Sequence, residues 1–211
     1  MSGEGEANVD RGTAALLTRR REILAQGADP IGWKIGFNVR ATQERLGIDA
    51  PLAGFLTTDS LVEGDWDEYP VIVESEVALE VGPDGRSIAA LFPALEIADP
   101  PDLDLPVEQI LAGNIFHRAV AFGPRVETLE PGAARILVNG EEQHTVPADQ
   151  TGERLEAMVE AVAGRLAAAG EELRAGDRII TGIIAPPHEA SPGDTVRLEL
   201  DALGGVELRF S

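Results

Sequence analysis

The stretch Val71-Ile72-Val73-Glu74-Ser75-Glu76-Val77-Ala78-Leu79-Glu80-Val81 decides how the rest of the chain is read. β-Branched residues recur along it and no Gly or Pro interrupts it, so it predicts a strand over about 70–82. Alternate residues of a strand share a face. Val71, Val73, Val77, Leu79 and Val81 then point into a core, and Glu74, Glu76, Ala78 and Glu80 point the other way. At about 3.3 Å of rise per residue, Glu74 and Glu76 stand roughly 7 Å apart, close enough for both side chains to reach one hard, oxygen-preferring cation. Glu80 lies about 13 Å beyond Glu76 by the same rise and is expected to be solvated or ion-paired. From spacing alone, an acidic face turned to water is the simpler explanation.

Two further segments carry the same question. In Leu91-Phe92-Pro93-Ala94-Leu95-Glu96-Ile97-Ala98-Asp99, Glu96 stands in an apolar strand with only Ala94 and Ala98 beside it on its face. A carboxylate there needs a cation, an Arg, hydrogen bonds or water. Glu74, Glu76 and Glu96 on adjacent strands would make an open Mg²⁺ site with positions left for water or substrate oxygens. In Ile31-Gly32-Trp33-Lys34-Ile35-Gly36-Phe37, the aromatic and aliphatic residues share one face and Lys34 takes the other, between Gly32 and Gly36. Bare glycines on both sides predict that a ligand can approach Lys34 closely; strand curvature around a snorkelling lysine is the alternative. A partly desolvated Lys can move a proton or neutralise an enolate.

Around these segments the chain reads as mostly β. Strands are expected near 31–37, 54–58, 70–82, 88–98, 118–123, 134–139, 177–183, 194–200 and 205–210, the last two forming a hairpin about Leu203-Gly204-Gly205. Helices are expected at 13–26, 39–47, 106–113 and 153–169; the last carries Leu155, Met158, Val159, Val162 and Leu166 on one face and stops at Gly170. Residues 1–12 read as a flexible tail and 13–211 as one catalytic domain. Strands and helices do not alternate, so the fold class is α+β, predominantly β, and not a doubly wound parallel sheet.

Composition narrows the function. The 211 residues hold 17 Lys and Arg against 37 Asp and Glu, a formal net charge of −20. That balance disfavours nucleic acid and anionic membrane surfaces. With no cysteine, disulfides, thiolate metal sites and Cys nucleophiles are excluded. No apolar run approaches the roughly 20 residues of a membrane span and no signal peptide is visible, so a cytoplasmic protein is expected. His117, His144 and His188 have no ligand spacing and are expected at the surface or in loops. Nucleophile elbows and phosphate-binding glycine loops are missing from the sequence, which leaves carboxylates and lysine to carry any chemistry.

Taken in order, several stretches resemble the 2-keto-4-pentenoate hydratase, 2-oxohept-3-ene-dioate hydratase and 4-oxalocrotonate decarboxylase branch of the fumarylacetoacetate hydrolase superfamily. They are Gly32-Trp33-Lys34-Ile35-Gly36, Gln43 with Leu46-Gly47, Pro51 through Gly54 to Leu56, Val73-Glu74-Ser75-Glu76-Val77-Ala78 and Pro93-Ala94-Leu95-Glu96-Ile97. Towards the C-terminus follow Leu166 to Gly170, Leu173, Gly176-Asp177, Thr181-Gly182 and Pro192-Gly193-Asp194.

The resemblance implies the family's mixed β-roll with a few flanking helices. It implies Mg²⁺ or Mn²⁺ on Glu74, Glu76 and Glu96, Lys34 as the catalytic group, and substrate contacts at Gly36, Asn38, Leu56, Asn114 and Thr181. It further implies a 2-oxo acid substrate, a homo-oligomer, a decarboxylase as a candidate partner, and hydratase activity on a 2-hydroxy-2,4-dienoate. Decarboxylation, acylpyruvate-type C–C hydrolysis, or a non-catalytic partner subunit are the alternatives. The sequence departs from the family pattern at Asn38, where a Thr or Ser is usual, and at Gly113-Asn114-Ile115-Phe116, where D-N-A-S is common. Asp99-Pro100 replaces an Arg that often follows the third Glu.

Overall fold

The computed structural model describes residues 3–152 and 155–211. The first half contains α1 (Gly3–Ala25), β1 (Pro30–Gly36), α2 (Arg40–Leu46), β2 (Leu52–Thr57), β3 (Asp65–Trp66), β4 (Ile72–Val81) and β5 (Ile88–Ala98). The second half contains α3 (Val107–Ala112), β6 (His117–Phe122), β7 (Ala134–Val138), β8 (Glu141–Val146), α4 (Ala148–Thr151), α5 (Leu155–Ala168), β9 (Arg178–Ile183), β10 (His188–Glu189), β11 (Thr195–Leu200) and β12 (Gly204–Phe210).

β4 lies inside a seven-stranded sheet of order β2-β1-β9-β4-β5-β6, with β10 also paired to β4. The chain leaving β2 turns through Thr58–Ser60, and Leu61 then bridges Val120 of the opposite edge strand. The Val62 N–H also donates to the Val120 carbonyl at 3.1 Å. The two edges are thereby brought together and the sheet rolls up, which hides edge groups that would otherwise pair with other chains. Small residues make the interior narrow. Ala78, Ala90 and Ala94 line it with Leu56, Phe92, Val120 and Ile180, all fully buried. At one end Glu74, Glu76, Glu96 and Lys34 replace the apolar fill, and at the other Glu80 and Arg178 border it.

The outer face is the larger core. Val73, Val77, Leu79 and Val81 of β4 and Leu91, Leu95 and Ile97 of β5 are buried there. A five-stranded sheet of order β3-β12-β11-β7-β8 packs over β5, while α5 covers β1, β2 and β9. The helical face of Leu155, Met158, Val159, Val162 and Leu166 is buried as its spacing predicts, and Gly170 ends the helical run in the left-handed region at φ 75°. The start of that helix at 153–154 lies outside the described residues. Among the described residues no helix is long and apolar enough to cross a membrane.

Two expectations are corrected. Of the residues expected as a flexible tail, 3–12 are helical: the helix expected from 13 begins at Gly3, and positions 1–2 lie outside the described residues. Val9 is buried, and Gly12 lets α1 cross close to α3, where an added Cβ would stand 2.8 Å from the Leu111 Cβ. The sequence also missed β8, whose residues 141–145 are polar and mostly exposed. The signal was present in Asn139-Gly140, both left-handed at φ 54° and 80°, the geometry of a tight hairpin turn joining β7 to β8.

Candidate active site and metal centre

Strand register assembles the site. β4 and β5 pair antiparallel with Glu74 opposite Glu96 and Glu76 opposite Ala94. One carboxylate oxygen from each of Glu74, Glu76 and Glu96 lies within 4.8 Å of the others. Glu76 and Glu96 are wholly buried and Glu74 is partly exposed towards a cavity. Glu80, further along the same face, is held instead by the Arg125 guanidinium at 2.8–3.2 Å.

Lys34 reaches the carboxylates from β1, opposite Gly54 of β2. An added Cβ at Gly54 would meet the Lys34 Cγ at 2.8 Å and the Asn114 Oδ1 at 2.7 Å, so this position must be bare for the lysine to lie across it. The glycines flanking Lys34 in sequence do something different from what was expected. At Gly32 an added Cβ would strike the Arg178 carbonyl at 1.9 Å, and at Gly36 it would strike the Ile115 Cγ2 at 2.6 Å. They admit neighbouring protein and do not clear a ligand path on both sides of Lys34. The lysine Nζ is tied to Glu96 Oε1 by a buried ion pair and donates to the Ile115 carbonyl at 3.2 Å.

Hydrogen bonding divides the acidic oxygens into two kinds. The Gly182 N–H donates to Glu76 Oε2 at 2.7 Å. Glu96 Oε1 accepts from Lys34, and His117 Nδ1 lies 2.8 Å from that same oxygen. Glu76 Oε1 and Glu96 Oε2 are buried with no hydrogen-bond partner. Buried carboxylate oxygens without a donor are costly, and a divalent cation, which prefers oxygen, removes the cost. The donor set therefore fits such an ion.

Charge is uneven across the group. Burial pushes the Glu74 carboxyl up to about 7, helped by Glu96 and opposed by Lys34. Glu76 is raised well above the usual carboxylate range by burial first, then by Glu96 and Glu74. Burial also works against an ionised Glu96, but Lys34 and His117 outweigh it and hold that carboxyl at about 2. For Lys34, burial is outweighed by Glu96 and Glu74, and the ammonium stays charged above its ordinary range. His117 is lowered by burial against the pull of Glu96 and is a neutral ring.

Beside these groups opens a cavity of about 380 Å³ bordered by Lys34 and Glu74. Phe37, Val39, Ile72, Phe116 and Ile183 make its walls largely apolar. Asp99 and Glu189 also border it, and Lys34 is the one cation among the bordering residues. Gly36 and Asn38 border the cavity as the resemblance implies, the Asn38 amide donating to the Thr181 carbonyl at 3.3 Å. Leu56, Asn114 and Thr181 are placed elsewhere. Leu56 fills the roll interior, and the Thr181 hydroxyl donates to the Val77 carbonyl at 2.8 Å. The Asn114 amide is spent on the Phe55 backbone, accepting from its N–H at 2.9 Å and donating to its carbonyl at 3.0 Å.

His117 is the residue sequence reading missed. It was expected at the surface or in a loop, but it opens β6 with a buried side chain that faces Glu96. Only the pairing of β6 with β5, Ala98 opposite His117 and Glu96 opposite Val120, reveals that contact.

No protein-family model matches the chain. Solved structures similar to it include 4-oxalocrotonate decarboxylase from Pseudomonas putida G7, complexed with magnesium and adipate. It has a TM-score of 0.80 at 22% identity, covering 93% of this chain and 83% of that one. The fold is thus that of the fumarylacetoacetate hydrolase superfamily. Among curated relatives, 2-keto-4-pentenoate hydratase 1 of Dechloromonas aromatica is 27% identical over 97% of this chain and 87% of its own length. A 4-oxalocrotonate decarboxylase of Pseudomonas sp. is 28% identical over 98% and 91%. The chain is thus similar over nearly its whole length to proteins named 2-keto-4-pentenoate hydratase and 4-oxalocrotonate decarboxylase.

Proposed function

We propose that the chain is a divalent-metal-dependent hydro-lyase that hydrates a 2-hydroxy-2,4-dienoate or a related 2-oxo acid, with Mg²⁺ or Mn²⁺ held by Glu74, Glu76 and Glu96. The observation that carries this reading is the meeting of those three carboxylates, two with an orphaned oxygen, beside a charged Lys34 at a cavity. When bound there, the ion supplies a Lewis acid for the carboxylate and 2-oxo oxygens of the acid.

The protein's own residues do the rest. Of the three N–H donors of Lys34, Glu96 and Ile115 take two, leaving a third for the organic anion. A charged ammonium there stabilises the dienolate and delivers a proton from Nζ to the substrate carbon, and the proton given up by the water that adds to the alkene restores it. Asn38 borders the cavity and can orient a ligand, but it carries no hydroxyl proton. The apolar walls suit the uncharged conjugated tail of the substrate.

The charge of the cavity favours hydration over the sibling reactions. A dicarboxylate such as 4-oxalocrotonate would bring its second anion towards Glu189 and towards Asp99, whose Arg118 partner at 3.1 Å is not among the bordering residues. An acylpyruvate with a second carboxylate meets the same obstacle to hydrolysis. A substrate with one carboxylate and an uncharged tail fits best. The test is the ultraviolet absorbance of 2-hydroxypenta-2,4-dienoate, which should fall with enzyme and Mg²⁺ and give a 4-hydroxy-2-oxo acid by NMR. Carbon dioxide release would single out decarboxylation. Full activity in EDTA would overturn the mechanism, and absence of turnover on any 2-oxo acid would leave a binding or partner subunit.

A further inference from the structure

We propose that His117 is a positioning residue that fixes Glu96 as a one-oxygen metal ligand. The inference rests on the metal reading above and goes beyond it by assigning a role to a residue outside the three carboxylates and Lys34.

Glu96 has two oxygens with opposite surroundings. Oε1 is shared by the Lys34 ammonium and the His117 ring, whose Nδ1 stands 2.8 Å away. Oε2 is buried and bare. Because Glu96 is an acceptor here, the ring contact requires the proton on Nδ1, and this tautomer leaves Nε2 as a lone pair. That nitrogen has no partner, and the side chain is only 2% exposed. A ring buried with one nitrogen unsatisfied is expensive unless the other makes a contact of value. Its one hydrogen-bond contact among the described residues is Glu96. With Oε1 held on two sides, the carboxylate is kept from rotating, and the bare Oε2 is the oxygen left for the ion.

The backbone before His117 supports the same placement. Asn114, Ile115 and Phe116 are three successive left-handed residues at φ 62°, 54° and 62°. Such a run is strained for residues with a Cβ, most of all for β-branched Ile115, and persists only where surrounding contacts over-determine it. Those contacts are the Asn114 amide on both Phe55 backbone groups and the Ile115 side chain seated against Gly36. The turn delivers the Ile115 carbonyl to Lys34 and the His117 ring to Glu96. One five-residue segment, Gly113–His117, thereby braces both members of the buried ion pair.

Mn²⁺ affinity, measured by calorimetry on the full chain, tests this together with the electron paramagnetic resonance spectrum of the bound ion. His117→Leu removes the donor at similar volume, and His117→Asn keeps an amide donor near the position of Nδ1. The Leu variant should bind Mn²⁺ about 10–100-fold more weakly than the native protein, the usual effect of losing a hydrogen bond to a metal ligand. The Asn variant should stay within a few-fold, with a spectrum close to native. Equal affinity in the Leu variant and the native protein overturns the proposal, as does an equal loss in both variants, which would mean packing alone. If the Leu variant does not fold, His117→Gln replaces it, with its amide one methylene too far; Asn must then bind more tightly than Gln. Absence of Mn²⁺ binding by the native protein would overturn the metal reading itself, a result distinct from either of the others.

Discussion

Glu74 and Glu96 face each other directly across the β4–β5 ladder, two acidic side chains in register on the inner face of the roll. Like charges in such a pair repel, and here they do so in a largely buried setting. The protein splits the pair: Lys34 and His117 keep Glu96 ionised at about 2, while burial and Glu96 drive Glu74 up to about 7. Four outcomes follow from this arrangement and its surroundings.

The metal-free protein should lose stability as pH rises from about 4.5 to above 7. Glu74 is raised in the folded state from 4.5 to about 7, so its favourable contribution is complete below 4.5 and is lost as pH climbs through 7. Glu76 is raised as well and acts with the same sign. Glu96 acts oppositely: lowered to about 2, it contributes above 4.5 and loses that contribution as pH falls through 2. Urea denaturation in EDTA should give a higher midpoint at pH 5 than at pH 8. Mn²⁺ should bind more tightly at pH 8, because protons compete for the same oxygens. A midpoint rising steadily from pH 5 to 8 without metal would contradict this assignment.

Glu76→Gln should separate metal binding from folding. The amide oxygen can still accept from the Gly182 N–H, so the metal-free variant should melt at or above the native temperature. Ion-induced stabilisation should disappear. At a Mg²⁺ concentration 100 times its Kd, the native protein gains about 2.7 kcal/mol, and the variant should gain nothing measurable by scanning calorimetry. Equal melting shifts in the two proteins would remove Glu76 from the ligand set.

Lys34→Met should be costly twice over. The side chain keeps an apolar stem of four heavy atoms, but Glu96 becomes a buried charge with its strongest partner removed. Breaking a buried pair on one side destabilises by about 3–5 kcal/mol. Turnover should fall by about 10²–10⁴-fold, the range of a lost acid–base group, measured at a temperature where the variant is folded. Native turnover in a folded variant would exclude Lys34 from the chemistry.

Asn114→Ala distinguishes a structural amide from a substrate contact. Two buried Phe55 backbone groups lose their partner and the left-handed turn loses its anchor. A loss of about 2–4 kcal/mol in urea denaturation is expected. Because Asn114 does not border the cavity, KM should change less than kcat, which falls as Lys34 loses its Ile115 support. A large KM change at native stability would return Asn114 to the substrate-binding surface.

The local pattern was legible in the residues alone. Period-two alternation placed Glu74 and Glu76 on one face, Ala94 and Ala98 marked Glu96 as a carboxylate with room beside it, and the i, i+3, i+4 spacing of 155–166 set the buried face of α5. Such readings succeed because strand and helix geometry is set by neighbours a few residues away. Which strands pair and where the roll closes depend on contacts between residues far apart in the chain. Register across β4, β5 and β6 brought His117 to Glu96, turned Asn114 onto Phe55, filled the space beside Gly36 with Ile115, and packed α1 onto α3 from Val9 onward. A histidine 21 residues from its carboxylate in sequence carries no local mark of that contact; closure of the sheet creates it.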